Sequence, residues 1–259
     1  MDTERDLKLR ESDILYRNID YRIMETAQYT ETAHDAILLI ETSTELCSVA
    51  IEENGTVTAY RESSVPKSHA SMTAVFIDEV LKERGLAAKS LSAVCVSEGP
   101  GSYTGLRVGV STAKGLCFGA KLPLLSVGTL EVLVRQATID DGIAYIVPMI
   151  DARRMEVYTA VFSCDGKRLT DTEAKIIDGD SFADILGQGK VLFIGDGAEK
   201  CRSVITHPNA LFLNTFPKAS AMAELAETEL KEKRFKDVAY FEPFYLKEFV
   251  ATVSKKRLF

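Results

Sequence analysis

Residues able to do chemistry are densest in Glu98-Gly99-Pro100-Gly101-Ser102-Tyr103-Thr104-Gly105-Leu106-Arg107. Pro100 and the glycines stop a regular element from crossing 99–101, while Ser102 or Thr104 can cap the free amides of a helix starting near Gly105. Free amides at the positive end of a helix dipole attract anions, so the turn reads as either a phosphate contact or a purely structural turn. An apolar run of strand length at 91–97 precedes it. That places the turn at a strand's carboxyl end, where open α/β sheets keep ligand sites. Two acidic residues occupy matching positions: Ile40-Glu41-Thr42 and Ile150-Asp151-Ala152 each end a strand-like run, enter a polar turn and continue into a second strand and hairpin. The second half therefore reads as a reduced copy of the first.

The elements that must position these residues follow from periodicity. Strands are predicted at 37–42 and 46–52, with an Asn54-Gly55 hairpin leading into 57–61. A helix should run from near Pro66 to Arg84 and close at Gly85. On it, Ala70, Ala74, Ile77 and Leu81 form the stripe expected to face the sheet. Met72, Phe76 and Val80, with His69 at the top, fall on nearly the opposite side. Exposed Met and Phe there would make a protein interface, or a surface covered by the N-terminal extension or the second lobe.

At about 100° per residue, the helix after the glycine turn sets Leu106, Val110, Ala113 and Cys117 toward the sheet, with Val108, Ser111, Gly115 and Gly119 opposite. Glycine inside a helix costs roughly 1 kcal/mol against alanine, so two on one line point to close approach of another backbone, from this chain or from a partner helix. A strand at 123–127 completes the first α/β lobe. The second half should carry strands at 144–150 and 156–162, an Asp165-Gly166 turn, a helix at 181–186, a strand at 191–194, Gly195-Asp196-Gly197 and a helix from 218 to 235.

The chain has 259 residues, 46% of them hydrophobic, and a net charge of -7. An acidic chain is a poor primary nucleic-acid binder, although a local basic patch can exist within it. Five widely spaced cysteines, Cys47, Cys95, Cys117, Cys164 and Cys201, lie mostly in apolar runs without a CxxC pair, as expected of reduced thiols in the cytoplasm. No apolar run is long enough to span a bilayer. Residues 1–35 are rich in charge and lack an apolar leader segment, so they read as a flexible extension or an upstream start. The expected organisation is an extension at 1–35, a first lobe at 36–140, a reduced second lobe at 141–249 and a basic tail at 250–259.

Several runs together carry a family resemblance. ILLIETSTELCSVAI, SHASM, GPGSYTGLRVGVSTAKGL, MIDARRMEVYTAVF and PFYLKEF, spread over 37–249, resemble the TsaB (YeaZ) family of the actin-like ATPase (ASKHA) superfamily. The resemblance implies an α/β fold of two lobes, each a mixed sheet flanked by helices. It also implies a cytoplasmic, non-catalytic subunit of the machinery that makes threonylcarbamoyladenosine in tRNA. The implied partners are a TsaD-like paralogue that performs the transfer and a TsaE-like ATPase, with a homodimer when the chain is alone and tRNA met mainly through the complex. The family interface uses the two first-lobe helices, which maps partner contacts onto His69, Met72, Phe76, Val80, Arg107, Val108, Ser111, Gly115 and Gly119.

The same resemblance marks a vestigial nucleotide cleft at Glu41, Thr42, Ser43, Asp151, Gly195 and Gly197. The first loop lacks the usual glycine, and Glu45 would repel phosphate. The chain is thus expected to hold no cofactor of its own, with ATP or ADP at most at the complex interface. The alternative is a weak autonomous ATPase or small-molecule kinase. The paralogue's paired metal-binding histidines correspond here to His69 and Thr73, so no metal is expected. Lys67, Arg107 and Lys114 read either as contacts to a nucleotide or an acidic partner surface, or as solvated side chains.

Overall fold

The computed structural model describes residues 36–66, 68–138 and 142–246. The expectations for 1–35, Lys67 and 250–259 lie outside the described residues.

Two mixed sheets form the frame. The first contains β1 (Ala36–Glu41), β2 (Cys47–Glu53), β3 (Thr56–Ser63), β4 (Ala93–Gly99) and β5 (Leu124–Gly128), in the order β3-β2-β1-β4-β5. β1 is antiparallel to β2 and parallel to β4, with Ile40 opposite both Val49 and Val96. All six residues of β1 are buried, as a central strand covered on both faces requires. Its alternation separates two cores: Leu38 and Ile40 pack with Phe76, Val80, Val110 and Ala113, whereas Ile37 and Leu39 pack with Met222 and Ala226.

The second sheet contains β6 (Ile143–Asp151), β7 (Glu156–Thr159), β8 (Phe162–Ser163), β9 (Glu173–Ile176), β10 (Lys190–Ile194) and β11 (Ala210–Leu213), in the order β11-β10-β6-β7-β9, with β8 on β6. Glu41 and Asp151 are the last residues of β1 and β6, each followed by an antiparallel partner strand, so the repeat read in the sequence is a repeat in topology.

Among the described residues, six α-helices cover the sheets: α1 (His69–Arg84), α2 (Tyr103–Ala120), α3 (Thr129–Arg135), α4 (Ala183–Leu186), α5 (Ala198–Cys201) and α6 (Ala223–Lys231). The buried residues of α1 are Thr73, Phe76, Ile77 and Val80, and Gly85 closes it at φ 65°. The expected facing holds for half of its stripe: Ile77 is buried and Leu81 packs against the core, but Ala70 and Ala74 face out, while Phe76 and Val80 from the other line enter the core and Met72 packs against it from a half-buried position. Burying a Phe, Val or Ile side chain is worth about 1.5–3 kcal/mol, far more than an alanine methyl, so the helix turns to bury the large side chains of both lines and leaves the alanines outside.

Two helices do not follow sequence order. α3, preceding the second sheet, buries Leu130 and Leu133 against Ile143, Ile146 and Phe162. The helix expected at 218–235 is instead a 3-10 turn at Ala219–Met222 followed by α6, and both pack on the first sheet. Packing thus crosses the boundary near 140 in both directions: α3 puts Val132 into the first core and Leu130 and Leu133 into the second, and α6 returns to the first sheet.

Candidate functional site

The turn after β1 is held shut by the turn before α2. Glu41 is fully buried, and its Oε1 accepts the Ser43 amide at 2.6 Å. The Thr42 hydroxyl donates to the Gly105 carbonyl at 2.8 Å, and the Ser102 amide to the Ser43 carbonyl at 2.6 Å. The glycines allow this approach. A Cβ at Gly101 would lie 2.3 Å from Ser43 O, one at Gly105 2.1 Å from Thr42 O, and one at Gly109 2.3 Å from Thr42 Oγ1. The amides of Ser102 and Gly105 are occupied, the second by the Ser102 hydroxyl that caps α2. The close approach to Thr42 and Ser43 gives these glycines a packing role. Burial pushes the Glu41 carboxyl up, against the Ser43 hydrogen bond that pulls it down.

The turn after β6 is closed differently. Asp151 is exposed, and its Oδ1 accepts the Arg153 amide at 2.6 Å and the Lys200 ammonium at 2.7 Å. Lys200 also donates to the carbonyls of Arg154 and Glu156, at 2.8 and 2.7 Å. Behind it, Asp196 Oδ1 accepts the Asp151 amide at 3.1 Å, and burial raises the Asp196 carboxyl to about 6. Gly195, at φ 131°, leaves no room for a Cβ, which would stand 2.2 Å from Met149 O. The structure thus gathers Glu41, Thr42 and Ser43 with the glycine turn, and Asp151 with Gly195 and Gly197. Lys200 escapes a sequence reading: its role depends on tertiary contact, and the sequence offers only its place three residues beyond Gly197.

The exposed side of α2 carries the other predicted group. Ser111, Gly115 and Gly119 are exposed, Val108 is half-buried, and nothing lies within 4 Å of a Cβ built at Gly115 or Gly119. Phe118, 83% exposed, extends this face. In the sequence it reads as an ordinary apolar residue, although its spacing of seven from Ser111 is the signal that could have found it.

Arg107 lies 4.0 Å over the Tyr103 ring and donates to the Tyr245 hydroxyl at 3.2 Å. Lys114 holds the carbonyls of Ala239 and Phe241, each at 3.0 Å. These two cations flank a cavity of about 460 Å³, also lined by Ser111, Glu242 and Pro243. His69 sits half-buried with Nε2 2.8 Å from the Thr44 carbonyl, tying α1 to the first turn. Phe76 and Val80, buried as they are, cannot line a surface, which removes both from the expected contact set. Among the described residues, no group of three or more His, Cys, Asp or Glu is placed to hold a metal ion.

The family model described as "TsaD: tRNA N6-adenosine threonylcarbamoyltransferase" matches residues 63–255. The tRNA threonylcarbamoyladenosine biosynthesis protein TsaB of Escherichia coli (strain K12) is 31% identical over 226 residues, covering 83% of this chain and 96% of that protein. The chain belongs to the TsaB family. A tRNA N6-adenosine threonylcarbamoyltransferase of Halalkalibacterium halodurans is 36% identical over 109 residues, about a third of each chain. The structure of YeaZ from Pseudomonas aeruginosa superposes with a TM-score of 0.72 at 26% identity, covering 82% of this chain and all of that one. TsaB-family membership and the two mixed sheets flanked by helices agree with the actin-like fold expected from the sequence. No helix among the described residues is long and apolar enough to cross a membrane.

Proposed function

We propose that this chain is a non-catalytic scaffold in tRNA threonylcarbamoyladenosine synthesis, binding and ordering a TsaD-like transferase through the exposed side of α2 and the adjoining end of α1. The observation that carries this reading is the open line over Gly115 and Gly119. Glycine weakens a helix unless something uses the missing side chain, and no part of the described chain does. Phe118 beside it is an aromatic anchor of the type that dominates interface energetics.

The nucleotide positions support the non-catalytic half of the proposal. Glu41 is sealed under the α2 turn, and Asp151 is neutralised by Lys200. An actin-like ATPase needs an open, uncompensated acidic turn for its metal and phosphates; the first turn is sealed, and in the second the exposed Asp151 is already paired with a cation. The partners proposed are the TsaD-like paralogue, a TsaE-like ATPase joining the pair, and a second copy of this chain in their absence. tRNA is reached through the complex, and any ATP or ADP sits at the subunit boundary.

Calorimetric titration of the paralogue tests the docking face. Gly115→Leu and Phe118→Asp should each weaken the pair at least tenfold while leaving the fold intact by circular dichroism. Unchanged affinity in both would move the partner elsewhere.

A further inference from the structure

The hairpin between β6 and β7 holds two successive non-glycine residues in the left-handed region, Arg153 at φ 69° and Arg154 at φ 51°. Glycine is the usual occupant of that region, with Asn and Asp next, because an L side chain there is strained. Arginine at both places is a local conflict of the kind that marks functional positions.

The turn is also fixed from outside. Asp151 accepts the Arg153 amide at 2.6 Å, and the Lys200 ammonium bridges Asp151 Oδ1 and the carbonyls of Arg154 and Glu156 at 2.7, 2.8 and 2.7 Å. The clamp uses backbone groups of the two arginines and leaves their side chains exposed. Among the described residues, no ion pair involves either guanidinium, and Asp151, two positions before Arg153, is already neutralised by Lys200. Two exposed guanidinium side chains thus stand on a fixed backbone, with Glu156 the next carboxylate along the chain.

We propose that the Arg153-Arg154 turn, held by the Asp151–Lys200 clamp, is a phosphate-contact site that takes the RNA backbone. Guanidinium forks match phosphate oxygens bidentately, and a fixed turn limits the ordering each contact requires. This assignment rests on the proposed role in a tRNA-modifying complex. It adds that this subunit touches the RNA itself, through its second sheet and away from the α2 docking face.

The test is tRNA affinity of the assembled complex with the TsaD-like paralogue, followed by fluorescence anisotropy across a salt series. The variants are Arg153→Gly, Arg154→Gly and the double variant. Glycine suits both backbone positions, so these variants should melt no lower than the parent, and assembly is checked by sedimentation before RNA is added.

The double variant should bind tRNA about tenfold more weakly, and its slope of log affinity against log salt should be shallower by about one for each phosphate no longer neutralised. ATP binding should not change. Unaltered tRNA affinity and slope overturn the proposal. So does loss of ATP binding with tRNA binding intact, which would give the turn to a free nucleotide. If the parent chain does not assemble with the paralogue, the scaffold reading fails by itself. The same salt series on the isolated chain then decides the RNA contact: a weaker, shallower response of the double variant sustains it, and identical curves end it.

Discussion

Single atoms close both of the acidic turns. Oxygens of Thr42 and Ser43 lie where Cβ atoms at Gly101, Gly105 and Gly109 would be. Gly105→Ala must therefore push back the Thr42 carbonyl, and overpacking of this kind costs about 1–3 kcal/mol; urea denaturation should register a loss in that range. At the other turn, the Asp196 carboxyl rises from 3.8 to about 6 on folding, chiefly through burial. The folded chain then holds a proton that the unfolded chain releases, so this residue's contribution to stability falls as pH rises from about 4 to 6. Asp196→Asn keeps an oxygen acceptor for the Asp151 amide and removes the titration. Its melting temperature should exceed the parent's at neutral pH, with the gap narrowing toward pH 4. A gap independent of pH would place the proton elsewhere.

Helices, taken as elements, show where local pattern suffices. The inward stripe Leu106-Val110-Ala113-Cys117 of α2 was legible because helical period and the Ser102 cap agree. The stop of α1 at Gly85 was legible from the glycine alone. The facing of α1 was legible only in part: Ile77 and Leu81 face the core as read, but the volumes of Phe76 and Val80 turned the helix so that Ala70 and Ala74 lie outside. Phe76→Glu therefore introduces an unpaired charge into the core, and loss of soluble protein is expected rather than a clean loss of partner binding.

Gly115→Ala behaves in the opposite sense. With nothing within 4 Å of the new Cβ, it should stabilise the isolated chain by up to about 1 kcal/mol of helix propensity while weakening the partnered complex. Thermal melts alongside titration of the paralogue would separate the two effects. A stabilised variant that binds its partner normally would mean that the line is simply a solvated face.

For the whole molecule, the sequence revealed the two-sheet plan through the repeat of Glu41 and Asp151, but not that α3 serves both cores or that α6 returns to the first sheet. Which sheet a helix covers is a choice among distant surfaces of similar polarity, and neither the apolar period of α6 nor its caps encode it. The Lys200 clamp was hidden for the same reason, since it joins groups more than forty positions apart. The outcome is an actin-like frame with Glu41 buried at its first acidic turn, Asp151 ion-paired at its second, and a helix face left open.

The most direct measurement of that account is tRNA threonylcarbamoyladenosine formation from the paralogue, the TsaE-like ATPase, ATP, threonine and bicarbonate, with and without this chain. The account predicts that modification requires the chain, that the Gly115→Leu variant does not support it, and that the chain alone hydrolyses no ATP. Equal modification without the chain, or ATP hydrolysis by the isolated chain that Glu41→Ala removes, would contradict it.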